Sequence, residues 1–296
     1  MYLKRWFAAI LFLISTSAFA QQDFSNVTIK TIPVAKGIYM LEGSGGNIGL
    51  AVGDEGALLI DSQYGPLTGK ILAAVSKITD KPVRFLIDTH WHSDHTDGNE
   101  NFAKNGAVIV AHQNVRKRLA SGQHMAAFGI DVPPAPQKAL PVITFTDGIT
   151  LFWNNEPVDV FHPTTTHTDG DAVIFFKNSN IVHTGDLFFN GTYPFIDADS
   201  GASLDSYVAG IDSIMGRIND DTKIIPGHGP LSNKAEYKKF RDMLATVRDR
   251  MKALVKEGKT VDEIVAAKPT ADFDAVWGKG FMTPDQWVKM VSSMMK

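Results

Sequence analysis

The chain contains no cysteine among its 296 residues. No disulfide can staple the fold, and cysteine-rich structural zinc sites are excluded. Any metal it holds must be bound by histidine, aspartate or glutamate. An excess of positive charge is also missing. Lys and Arg number 29 against 32 Asp and Glu, a formal net charge of −3. There is no basic field to attract nucleic acid and no nucleic-acid-binding motif, so no nucleic-acid partner is expected. No G-x-S-x-G elbow is present, which removes the usual signature of a serine hydrolase. Beyond the first twenty residues, no apolar run is long enough to cross a bilayer.

What is present begins with a short targeting pattern. Lys4 and Arg5 precede an apolar stretch from Trp6 to Ile14, and Ala18-Phe19-Ala20 supplies the small residues that a signal peptidase reads. Residues 1–20 are therefore expected to be a signal peptide, leaving no membrane anchor after cleavage and a periplasmic or secreted product. The apolar stretch is short for a membrane span. The remainder, 44% hydrophobic and 21% charged over the whole chain, has ample material for a core. Residues 21–296 contain no evident linker and are read as one domain, with a helical extension from about 260.

Apolar patterning alternates between strand-like and helix-like segments. Two β-prone runs lie between Val27 and Leu41, around Pro33 and Gly37. The runs 48–52 and 57–60 flank Gly53-Asp-Glu-Gly56 as a hairpin. Leu67, Ile71, Leu72, Val75 and Ile78 share a helical face, and 83–87 and 107–111 read as buried strands. Short helices are expected at 99–104 and 113–120. Residues 121–141, with Gly122, Gly129 and four prolines, read as a long loop that is either a lid or a plain surface connection. Strands resume at about 142–177, 180–184 and 223–225. Ser203 is placed to cap one helix, and an Asn233/Glu236 capping box opens a long one that ends at Gly258. Thr283-Pro284 opens the last helix. This order fits mixed sheets covered by helices, an α/β fold.

The chemistry is concentrated in His90-Trp91-His92-Ser93-Asp94-His95, after an apolar strand and before Gly98. Four candidate ligands fall within six residues. His90 and His92 alternate, so on an extended segment their rings face one side, while Asp94 and His95 lie at the turn and address a second nearby point. Imidazole and carboxylate suit zinc, and such crowding suits two metals better than one. Three more polar residues stand beside glycine at strand ends: His167 before the strand at 172–176, Asp186 in Thr184-Gly-Asp186, and His228 in Pro226-Gly-His-Gly-Pro230. Glycine allows close backbone approach, and strand-end loops are where rigid scaffolds hold functional groups.

Taken together with Asp61 at the end of the early hairpin, this constellation resembles the metallo-β-lactamase fold superfamily across about residues 27–230. The resemblance implies an αββα four-layer sandwich of two mixed sheets, with metals at one edge between them. It implies that His90, His92 and His167 hold one metal, that Asp94, His95 and His228 hold a second, and that Asp186 bridges both. Asp61 would orient a ligand from behind. The expected cofactor is two divalent ions, zinc first, with iron or manganese sharing such ligands. The expected chemistry is hydrolysis by metal-activated water, with Asp94 steering or accepting a proton.

The resemblance leaves the substrate open. A carboxylate at Asp186 is more like the thioesterase, lactonase and general hydrolase branches, whereas familiar β-lactamases carry cysteine or serine there. Export points toward β-lactams. The preferred expectation is a small ester-, thioester-, lactone- or amide-like substrate, with a true β-lactamase as the alternative. A di-iron redox protein would usually bring a flavin-binding partner domain, and none is evident. A non-catalytic periplasmic accessory protein is a further alternative, disfavoured because structural metal sites are closed. His112 is read as a strand-end residue. His124 has a surface or substrate-facing role, and His162 and His183 are packing or hydrogen-bonding residues. Trp91, Phe188 and Phe189 are read as packing.

Overall fold

A computed structural model describes residues 23–295. The proposed signal peptide lies outside the described residues. The strands are β1 (Lys30–Ala35), β2 (Ile38–Glu42), β3 (Ile48–Gly53), β4 (Gly56–Ile60), β5 (Val83–Ile87), β6 (Val108–His112), β7 (Gln123–Met125), β8 (Ile130–Val132), β9 (Ile143–Phe145), β10 (Gly148–Trp153), β11 (Glu156–Phe161), β12 (Val173–Phe176), β13 (Ile181–His183), β14 (Lys223–Ile225) and β15 (Ser232–Asn233). The helices that matter here are α1 (Thr68–Val75), α2 (Ser93–Thr96), α3 (Asn99–Lys104), α4 (Gln113–Ser121), α5 (Leu204–Met215), α6 (Lys234–Lys256), α7 (Val261–Ala266), α8 (Asp274–Trp277) and α9 (Pro284–Ser293).

Two mixed sheets form. One has the order β1-β2-β3-β4-β5-β6-β9, the other β10-β11-β12-β13-β14-β15. In the first, hairpin pairing gives way to parallel pairing from β4 onward. In the second, only β13 and β14 run parallel. The period of two explains the layers. On β4, Leu58 and Ile60 face the other sheet, where they join Ile174, Phe176, Ile181 and Ile225. Ala57 and Leu59 face outward onto Ile71 and Val75 of α1 and Phe102 of α3. On the second sheet, Val173, Phe175, Val182 and Ile224 face outward onto α5 and α6 through Tyr207, Ile211, Tyr237 and Phe240. Because both faces of each sheet are covered, the central strands are apolar throughout. The result is an αββα sandwich.

The sequence-based elements differ from the structure in instructive places. Residues 121–141 are not one loop. They fold a small two-stranded hairpin of β7 and β8, with Gln123 opposite Val132 and Met125 opposite Ile130. The stretch 142–177 is interrupted at 162–172, a loop that carries His167. The start of α6 is capped one way only. The Asn233 side chain accepts from the Glu236 N–H, while the Glu236 carboxylate pairs with Lys239 three residues on. Reciprocal capping boxes occur instead at Ser203/Ser206, Thr260/Glu263 and Thr283/Gln286. No helix among the described residues is long and apolar enough to cross a membrane.

Helix α9 closes the second sheet's outer layer. Trp287 is fully buried. Its indole stacks on Tyr193 with centroids 4.7 Å apart, and its N–H donates to the Pro194 carbonyl at 2.7 Å. This ties the helical tail to the segment 190–197, which runs under the candidate site. Replacing Trp287 by Ala should cost about 3–5 kcal/mol of stability in urea denaturation. A loss below about 1 kcal/mol would mean that α9 is not part of the cooperative core.

Candidate metal centre

All the candidate ligands leave the two sheets at one edge. Asp61 follows β4, and the segment 88–95 follows β5. Asp186 and His228 follow the parallel strands β13 and β14, and His167 precedes the antiparallel β12. Carboxyl ends of parallel strands are where α/β sheets place ligand sites.

The ligand atoms fall into two groups. His90, His92, His167 and Asp186 are all buried, and each offers one ligand atom within 4.8 Å of the others. The His92 Nδ1 lies 3.0 Å from His90 Nε2 and 2.9 Å from His167 Nε2. Asp94, His95 and His228 form the second group. There, His95 Nε2 is 3.3 Å from His228 Nε2 and 3.5 Å from Asp94 Oδ2, and His228 Nε2 is 3.3 Å from the same oxygen. Asp186 divides its oxygens between the groups. Its Oδ2 is 3.8 Å from His90 and 3.4 Å from His167, while its Oδ1 is 3.1 Å from His95 and 3.3 Å from His228.

The far side of each ring fixes what the near side can do. Thr89 Oγ1 donates to Asp61 and so accepts from His90 Nδ1, 3.0 Å away. The His167 Nδ1 donates to the Phe195 carbonyl at 2.9 Å, the His92 Nε2 to Asp197 at 3.2 Å and the His95 Nδ1 to Asp61 at 2.7 Å. In the first group these acceptors hold each imidazole in the tautomer that turns a lone pair inward. The lone pairs of His90, His92 and His167 then converge without a protein donor between them. Asp186 Oδ1 is also buried without a hydrogen bond of good geometry. Burying so many acceptors against one another is costly unless a cation sits among them. The separations match the edge of roughly 3.3 Å expected when ligand atoms surround a zinc ion tetrahedrally. The residues fit a metal centre.

The electrostatics separate the two groups. Burial, then the charge of His95, holds His90 well below the ordinary imidazole range, and burial brings His167 down to about 4. In the second group burial opposes charge but loses. Asp186, Asp94 and Asp61 hold His95 well above its ordinary value, and Asp186 and Asp94 push His228 up to about 9. Burial likewise fails to raise Asp94, which His95 and His228 bring down to about 2. This part of the site attracts positive charge.

Backbone conformation makes the closeness possible. Asp61 itself adopts φ +64°, a conformation uncommon outside glycine, and this turns its carboxylate back toward His95 and Thr89. A Cβ on Gly227 would stand 2.1 Å from Asp186 Oδ1, so only glycine fits there. Asn47 ties the His228 loop to β3, donating to the Pro226 carbonyl at 2.9 Å and the Gly229 carbonyl at 2.8 Å.

The seven ligand candidates and Asp61 thus meet at one place. His112 instead stacks on His162 at 4.1 Å, His183 bonds the Asn47 carbonyl at 3.1 Å, and His124 pairs with Asp131 across the β7/β8 hairpin at 2.7 Å. Phe189 packs, its ring stacked on His228 at 4.8 Å, and it also lines the cleft. Sequence reasoning missed Asp197 and Asp171. Asp197 is buried and reaches His92, while its own N–H donates to the His167 carbonyl at 3.1 Å. Asp171 accepts from the His167 N–H at 2.6 Å and from the Thr168 hydroxyl at 2.6 Å. Only the sequence closeness of Asp171 to His167, four residues away, signalled it in advance. Nothing marked Asp197.

The comparisons with known proteins identify the family. The model of the metallo-beta-lactamase superfamily matches residues 41–232, and the chain belongs to that superfamily. The sequence is 22% identical over 191 residues to the metallo-beta-lactamase type 2 of Bacillus cereus, covering 64% of this chain and 69% of that protein. It is 26% identical over 187 residues to the hydroxyacylglutathione hydrolase of Polaromonas sp. (strain JS666 / ATCC BAA-500), covering 63% and 62%. The chain therefore spans about two thirds of the length of these relatives. The structure of the metallo-beta-lactamase from Pontibacter korlensis superposes with a TM-score of 0.63 at 19% identity, over 74% of this chain and 99% of that one. The chain is placed among the metallo-hydrolase enzymes, with a histidine-rich metal site.

Asp186→Asn would keep the shape but remove the charge shared by both groups. Bound metal after dialysis, read by elemental analysis, should fall with affinity reduced at least about 10–100-fold. Unchanged metal content would show that Asp186 is not a ligand.

Proposed function

We propose that the chain is an exported hydrolase carrying two divalent ions, zinc first, and that it acts on a small ester-, thioester-, lactone- or amide-like substrate. The observation that carries this reading is Asp186, whose two oxygens face two separate ligand groups at the floor of a cleft of about 520 Å³. One ion would be held by His90, His92 and His167, the other by Asp94, His95 and His228, with Asp186 shared. Bound there, the ions would supply activated water and polarise the substrate's oxygen.

The chain's own residues divide the remaining work. The first group is buried, whereas the side chains of Asp94 and His228 keep 24% and 27% of their surface exposed. A substrate therefore meets the second group first. Asp94 lines the cleft, where its carboxylate is placed to orient the attacking water or take its proton. In hydrolysis the water oxygen bonds to the acyl carbon, the bond to the leaving group breaks, and the proton passes to that group. Ser93, Asn190 and Thr192 also line the cleft as neutral hydrogen-bonding groups. Export rests on the N-terminal pattern of Lys4, Arg5 and Ala18-Phe19-Ala20.

The test uses purified mature protein loaded with zinc and 4-nitrophenyl acetate as the probe. Chelation should abolish turnover. Asp94→Asn should lower kcat by about 100-fold or more while circular dichroism stays native. Turnover that survives metal removal would overturn the reading. A folded, metal-replete protein inert toward esters, thioesters and lactones would favour the non-catalytic accessory protein. The β-lactamase alternative has the names of several relatives in its favour. Fast, chelator-sensitive hydrolysis of a chromogenic cephalosporin would establish it and displace the preferred substrate class.

A further inference from the structure

The walls of the cleft have a chemistry of their own. Among the described residues that line it, the only charged side chains apart from histidine are Asp94 and Asp186, and there is no lysine or arginine. The wall opposite these two is apolar, built from Met125, Phe128, Ile130, Phe195 and Phe281. Phe195 stands edge-on to His167, with centroids 5.9 Å apart, and Phe128 packs on Phe195 at 4.9 Å. Phe281 continues the row at 6.4 Å from Phe128. An aromatic path thus leads from the ligand histidines to the rim, where Phe128 is 44% and Phe281 60% exposed.

Single exposed apolar residues are ordinary on a surface. These two converge on one cleft from unrelated segments. Phe128 sits at the turn of the β7/β8 hairpin and Phe281 in the loop between α8 and α9. The hairpin is fixed in place: the Ala126 N–H donates to Asp199 at 2.7 Å, and Arg118 joins Gln123 at 2.7 Å to Asp169 at 2.7 Å. Beyond the rings, a neighbouring cavity of about 640 Å³ holds Lys289, but Asp197 and Asp199 line it too. Away from the metal ligands, then, no cationic side chain among the described residues lines the cleft itself, and an unpaired buried charge is costly.

We propose that the cleft selects a neutral substrate whose large apolar acyl or aryl group seats on Phe128, Phe195 and Phe281. A carboxylate at the far end of that group is disfavoured. The proposal rests on the hydrolase reading for what happens to the substrate, but not for what binds.

Two measurements keep those ideas separable. The first is equilibrium binding of octananilide, a neutral amide probe, by calorimetry on the zinc-loaded protein. The second is kcat/KM for 4-nitrophenyl octanoate, 4-nitrophenyl acetate and the mono-4-nitrophenyl ester of suberic acid, which adds a terminal carboxylate to the octanoate chain. Octananilide should bind, and the double variant Phe128→Ala/Phe281→Ala should weaken it by about tenfold or more. Octanoate should exceed both acetate and the suberate ester by about tenfold, and the double variant should erase its advantage over acetate. Phe152→Ala, a 78% exposed ring on β10, is the control that should leave these ratios in place. Phe128→Lys should shift preference toward the suberate ester. Octananilide binding that depends on the two rings, without hydrolysis of the anilide or of any ester, thioester or lactone, would uphold this inference and sink the hydrolase reading. Ester turnover with equal rates for octanoate and suberate, or anilide binding indifferent to Phe128 and Phe281, would overturn the inference and leave the hydrolase reading intact.

Discussion

The Asp61 carboxylate is wholly buried at the edge between the sheets, and it accepts three hydrogen bonds. The Thr89 N–H and hydroxyl donate to it at 2.7 and 2.8 Å, and His95 Nδ1 at 2.7 Å. Through Thr89 it also governs His90, because a hydroxyl that donates to Asp61 must accept from His90. One carboxylate therefore sets a ring in each ligand group. It can do so because β4 and β5 run parallel and stop together, with the Asp61 N–H donating to the Ile87 carbonyl at 2.9 Å. A residue with φ +64° is uncommon, and here the hydrogen bonds it makes over-determine it.

The same logic repeats around the site with other backings. Asp197 sets His92, the Phe195 carbonyl sets His167, and Asp171 holds the His167 backbone. The ligands are held by partners whose own positions depend on sheet ends and tight loops, not on the metal. The Tyr207 hydroxyl on α5 donates to the Asp186 main-chain carbonyl, so even the outer helix layer reaches the carboxylate residue that faces both groups. Rigidity of this kind is what a metal site needs to impose its geometry on an ion.

How far the sequence revealed this depends on how local each signal is. The cluster from His90 to His95 was legible because four ligands crowd six residues, a density that a solvated loop has no reason to adopt. His167, Asp186 and His228 were legible only beside it, as polar residues next to glycine at strand ends. The layers were legible from apolar runs at 48–60, 83–87 and 107–111. Asp197 was not, because its partners His92 and His167 lie 105 and 30 residues away and no spacing marks the pairing. The β7/β8 hairpin was hidden by composition. Gly122, Gly129 and the prolines read as breaks, yet Gly129 at φ +62° serves the turn, and each strand needs only three residues because Arg118 and Asp199 hold it from outside.

This contrast separates two parts of the protein that follow different constraints. The ligand residues stand at the ends of paired strands, where a shift of one residue would turn every neighbouring side chain to the wrong face. Changing them changes whether a metal is held. Apart from Phe195, whose own carbonyl holds His167, the apolar wall stands on the β7/β8 hairpin and on the loop between α8 and α9, which pair with neither main sheet. The hairpin is attached by polar contacts through Arg118 and Asp199 and by Met125, Ile130 and Val132 packed on the core, whereas the ring of Phe128 is 44% exposed and lines the cleft. The exposed rings of Phe128 and Phe281 can therefore vary without disturbing the sheets. On the proposed reading, a scaffold arranged in this way would keep its reaction while the wall decided which molecules reach it.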